Sequence, residues 1–196
     1  MLPYVVLVGA VINLTLTSVY IRDTIRGQTK PNRVTWLLWS LGPLIATGAG
    51  LTAGVTWAVL PVFISGFAPA LVFLASFANK DAYWKLKMHD YVCGAFSVLA
   101  LVLWYLTDNP IVAIALAIVA DGLAALPTVV KAWKFPETET GVAYAGGFVN
   151  GISSFFAMKT FSFAEMAFPA YLVAVCTTLL FSVYRKGLRS FLLKNY

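Results

Sequence analysis

Apolar residues gather along the chain in seven runs long enough to cross a bilayer, near 3–22, 34–53, 56–77, 88–106, 109–131, 141–159 and 164–184, with short polar connections between them. A hydrocarbon core about 30 Å thick takes roughly 20 helical residues, so each run predicts one helix. The expected fold is all-α, a polytopic membrane protein of seven transmembrane helices.

The fifth run breaks its own pattern. Between Asn109 and Lys134 an otherwise apolar stretch carries Asp121 near its middle and Pro127 further on. An ionisable side chain near the bilayer midplane is costly and usually functional. No lysine or arginine in the sequence sits at a comparable depth to pair with it. Its countercharge is then a proton, a bound cation or a positive group of a ligand, and the alternative is a neutral aspartate that packs through hydrogen bonds.

Composition agrees with the pattern, at 60% hydrophobic and 11% charged residues over 196, far from the balance of a soluble domain. The net charge of +6 could point to nucleic acid, but the positive residues lie scattered in short connections, as topology signals do. With the N-terminus outside, 13 of the 14 basic residues fall on the cytoplasmic side, leaving Lys159 outside. The positive-inside rule therefore predicts an N-out, C-in protein of the plasma (cell inner) membrane. The N-terminus starts apolar and runs a full span, so no cleaved signal peptide is expected. Cys93 and Cys176 fall inside apolar runs, where they read as small hydrophobes and not as a disulfide or metal site.

The chain also repeats itself weakly. A shift of 108 positions places Asn13 on Asp121, Arg26 on Lys134, Val34 on Val142, Trp36 on Tyr144, Pro61 on Pro169 and Phe73 on Phe181. One offset thus relates spans 1, 2 and 3 to spans 5, 6 and 7. The expected organisation is a first three-helix unit over 1–80, a linking fourth helix over 81–108, and a second three-helix unit with a short cytoplasmic tail over 109–196. A single linking helix lets both units insert in the same sense, about an axis along the membrane normal.

Candidate chemistry follows from that symmetry. Asn13 lies at the depth and repeat position of Asp121, and the two groups can hydrogen-bond each other or share a ligand. Trp36 and Trp39 share one face of the second span, followed by Ser40, Gly42 and Pro43. Trp36 is close enough to the helix start to be an interfacial belt residue, whereas Trp39 lies a turn deeper. The sixth span presents a small, polar face of Tyr144, Gly146, Gly147, Asn150, Ser153 and Ser154, suited to a close helix seam or a wet cavity. The expected substrate-binding set is Asn13, Trp39, Asp121, Asn150 and Ser153, with Asp121 also carrying proton or cation coupling. Pro43, Pro61, Pro127 and Pro169 interrupt spans and stand as hinges or tolerated kinks, as does Pro69.

The segment Leu126-Pro127-Thr128-Val129-Val130-Lys131, with the polar connection up to Thr140-Gly141, resembles the PQ-loop motif, with threonine after the proline where the signature has glutamine. Thr17-Ser18-Val19-Tyr20 with Gly27-Gln28-Thr29-Lys30-Pro31-Asn32-Arg33 resembles it more faintly, without the proline. Over almost its whole length the chain is similar to the SWEET and PQ-loop transporter superfamily, which includes PnuC-type vitamin transporters. That resemblance implies a 3 + 1 + 3 fold with the pocket between the two triplets. The asparagines that bind sugar on the third and seventh helices of SWEET carriers have no counterparts here, so a sugar is not implied.

The leading expectation is a small-molecule carrier working by alternating access in the lipid bilayer, proton-coupled or accepting a cationic or polar substrate, with no cofactor and no nucleic-acid partner; self-association is left open. The alternative is a non-transporting receptor or scaffold. A retinal protein needs a lysine in the seventh span for its Schiff base, and there is none. No enzyme is expected, since the one histidine, His89, stands beside Asp90 without a nucleophile and reads as a solvated residue at a helix start.

Overall fold

A computed structural model describes residues 3–52, 60–156, 158 and 160–194. Among the described residues the fold is all-helical, with α1 Pro3–Ile25, α2 Arg33–Thr52, α3 Leu60–Ala75, α4 Met88–Leu106, α5 Pro110–Lys134, α6 Val142–Phe155 and α7 Phe163–Lys194. Short 3-10 turns at Lys80–Ala82 and Pro136–Thr138 shape two connections. Three stretches, Met88–Leu106, Ile111–Lys134 and Glu165–Gly187, are long and apolar enough to cross a membrane.

Local chemistry sets the ends. Asn32 starts α2, its Oδ1 accepting from the amides of Val34 and Thr35 at 3.1 and 3.3 Å, and Asn109 caps α5 in the same way ahead of Pro110. Gly27, at φ +75°, closes α1 in the left-handed conformation that costs a side chain most. The seventh helix runs past the expected end at 184, because its polar continuation holds no proline to stop it. The expected start of the third span at 56 lies outside the described residues. Pro43, Pro69, Pro127 and Pro169 all sit inside continuous helices; Pro61 is in α3, with its side chain outside the described residues.

In packing, α3 lies against both α1 and α2, and α7 lies against both α5 and α6. Across the molecule α1 packs on α6 and α2 on α5, while α4 covers α5 and touches α2. Small residues set the closest approaches. A Cβ on Gly146 would stand 3.1 Å from the Asn13 Cα, and one on Gly66 3.0 Å from backbone atoms of Leu44 and Ser40. A core of Tyr20, Trp36, Val72, Ala132, Ala143, Tyr144 and Leu179 joins α1, α2, α3, α5, α6 and α7. The interior is otherwise unusually polar, burying Asn32, Thr35, Asp90, Thr128 and Lys131, while Val11, Leu99, Leu103, Val119 and Phe181 face outward.

Candidate functional site

Two adjoining cavities lie where the helices converge, one of about 310 Å³ and one of about 110 Å³. They share Pro43, Ser65, Asp121, Asn150, Phe168 and Leu172 as lining. The larger is formed by the later part of α2, the first turns of α3, the last of α4, the first half of α5, the end of α6 and the start of α7, and so occupies one end of the bundle. The smaller continues toward the other end through Asn13, Thr17, Trp36, Trp39 and Tyr144.

Asp121 sits at the junction. Tyr171 on α7 donates its hydroxyl to Asp121 Oδ2 at 2.6 Å, and Trp39 on α2 donates its indole N–H to the Asp121 carbonyl at 3.4 Å. Among the described residues, no lysine, arginine or histidine lines either cavity. Asn13 also lines the smaller cavity, but it does not bond Asp121; its Oδ1 accepts from Thr17 at 3.1 Å. Asn150 lines both cavities, and its side-chain amide makes no hydrogen bond among the described residues. Four of the five expected binding residues therefore meet at one place.

Ser153 does not join them. It is buried against Gly9 on the α1–α6 seam and donates to the Asn150 carbonyl at 2.8 Å. Ser154, one residue on and about 100° round the helix, lines the larger cavity instead. Of the prolines, Pro43, Pro69 and Pro169 border a cavity and Pro127 is fully buried. Trp36 is not a belt residue; it is 3% exposed, its ring 5.3 Å from Trp39 and 6.3 Å from Tyr144. Its indole N–H has no hydrogen-bond partner among the described residues.

Beyond the smaller cavity, at the end where the α1–α2 and α5–α6 connections meet, a polar cluster fills the bundle. Lys131, expected among solvated basic loop residues, is instead 2% exposed and pairs with Glu139 Oε1 at 2.5 Å. Glu139 Oε2 accepts from Tyr20 at 2.8 Å and from Tyr144 at 2.7 Å. Lys131 also donates to the Lys30 carbonyl, and the Lys30 amide donates to the Thr138 carbonyl at 3.0 Å. Thr29 bonds Thr140, which donates to Asp23 Oδ2 at 3.1 Å. Alongside, Thr128 donates to Thr35 and Thr35 to the Ala124 carbonyl, tying α2 to α5. Asp90 is buried and accepts from Asn32 at 3.0 Å, while His89 beside it remains half exposed.

Tyr171, Glu139 and Tyr20 were not among the expected site residues. The available signals were a tyrosine hydroxyl inside an apolar run and an acid eight positions after a lysine at a span end. No family model, curated protein or solved structure matches this chain.

Proposed function

We propose that this protein is an integral membrane carrier for a small molecule, working by alternating access about the cavities at Asp121, with two three-helix units joined by α4 in a SWEET-like 3 + 1 + 3 arrangement. The observation that carries it is a chamber at the junction of both halves, closed at one end by groups drawn from both. The packing supports the repeat. If α5, α6 and α7 correspond to α1, α2 and α3, then the central position of α3 corresponds to that of α7, and the α1–α6 contact corresponds to α2–α5. Lys30 and Thr138, which pair through their backbones, stand 108 positions apart, the same offset.

Alternating access requires contacts that hold one end shut and can be exchanged. Tyr20 and Lys30 from the first unit bind Glu139 and Lys131 of the second, so opening this end must break or remake those bonds. The distribution of basic residues puts the same end in the cytoplasm of an N-out protein in the plasma membrane. The larger cavity then faces outward.

Single cysteines at Trp39, Asn150 and Ser154, in a background with Cys93→Ala and Cys176→Ala, test the reading. A charged methanethiosulfonate added from the outer side should modify Asn150→Cys and Ser154→Cys. If all three positions resist the reagent from both sides, the chamber is not wet and the buried polar groups hold helices together in a receptor or scaffold.

A further inference from the structure

The geometry points to a singly charged organic cation with an apolar body as the molecule this chamber takes. This deepens the carrier reading and rests on it. Four observations converge. Asp121 borders both cavities with one carboxylate oxygen held by Tyr171, while Oδ1 accepts no hydrogen bond among the described residues. No lysine, arginine or histidine lines either cavity, and no ion pair involves Asp121 among the described residues. A carboxylate in so apolar a place needs a positive partner to stay charged.

Aromatic rings border the same space, Trp36, Trp39 and Tyr144 on one side and Phe168 on the other. Ring faces attract an ammonium group and lose little in releasing it, the arrangement that receives organic cations in general. The remaining wall is mostly aliphatic, and the larger cavity falls within the range of small-molecule sites. Finally, polar groups near the rings remain unused. Among the described residues, neither the buried Trp36 indole N–H nor the Asn150 side-chain amide has a hydrogen-bond partner. They offer hydrogen bonds to a neutral acceptor on the same molecule. One carboxylate limits the charge to a single unit, and a hydrated metal ion would leave the rings and the apolar wall without a role.

A charge series of one shape tests the assignment on the full-length protein in detergent: 2-phenylethylammonium, 2-phenylethanol and phenylacetate, each at millimolar concentration. The ammonium should raise Tm by several degrees and slow methanethiosulfonate modification of Ser154→Cys. The alcohol should act at least tenfold more weakly and phenylacetate not at all. Asp121→Asn should abolish both responses to the ammonium. Should that variant fail to fold, the charge series and the Ser154→Cys protection in the aspartate-containing protein still decide. Equal effects of ammonium and alcohol, retention of the response in Asp121→Asn, or no effect of the ammonium would overturn the cation assignment. If Ser154→Cys reacts but the ammonium neither protects nor stabilises, the substrate class fails and the carrier stands; if Trp39→Cys, Asn150→Cys and Ser154→Cys all resist the reagent from both sides, both fail.

Discussion

Asp121 and Lys131 lie ten positions apart on one helix, about 15 Å along its axis, and meet opposite fates. Lys131 is neutralised inside the protein by Glu139, whereas Asp121 has hydrogen-bond donors but no countercharge among the described residues. Breaking a buried pair by removing one partner leaves an uncompensated charge and costs about 3 kcal/mol or more. Lys131→Met should therefore destabilise the protein by about 3 kcal/mol in reversible unfolding from mixed micelles. Lys131→Met combined with Glu139→Gln should cost less than the two single changes added together. Additive costs would mean that the pair is not coupled. Tyr171→Phe removes one hydrogen bond between α7 and α5, and should lower stability by about 1 kcal/mol in the same assay.

Asp121, Asn13 and Asn150 were legible in the sequence because a polar side chain inside an apolar run has few readings. Lys131 was not, since a lysine at a span end looks the same whether it meets water or a buried glutamate. Ser153 and Ser154 were equivalent on sequence, and only the seam with α1 at Gly9 decided which of them reached the cavity.

At the scale of elements, the runs located the helices but not their ends. Those depend on single residues, the Asn32 and Asn109 caps and the left-handed Gly27, whose effect is local and invisible to an average over a span. The prolines lie within unbroken helices, three of them (Pro43, Pro69 and Pro169) against the cavities, where kinks would shape the chamber. The close α1–α6 approach makes a sharper case. Gly146 leaves no room for a side chain beside the Asn13 backbone, so Gly146→Val must push α1 away from α6. That substitution should lower Tm by several degrees and loosen the environment of Asn13, whereas Gly48→Ala, with nothing within 4 Å of its added Cβ, should leave Tm near that of the parent. Similar losses in both variants would remove close packing as the reason for the glycine at 146.

For the molecule as a whole, the offset of 108 predicts that corresponding side chains share similar surroundings, and the pairs differ in how far they do. Trp36 and Tyr144 share one core cluster, whereas Phe73 packs inward and Phe181 is exposed. Helix packing depends on small residues and overall shape more than on any one pair, so the proposed repeat does not require every corresponding side chain to match. The polar cluster at Lys131 and Glu139 belongs to this scale too, since it depends on two connections meeting that lie more than a hundred positions apart. The account gives that cluster one purpose, to close one end while the other admits solvent.

The decisive measurement is the sidedness of cysteine modification when the closure is weakened. In the Cys93→Ala, Cys176→Ala background, Ala143→Cys on the cluster side of the smaller cavity should be unreactive toward a charged methanethiosulfonate from the cytoplasmic side, and Ser154→Cys reactive from the outer side. Adding Glu139→Gln should raise the first rate at least tenfold and lower the second. If both rates rise together, or neither changes, the two ends do not exchange and alternating access is contradicted.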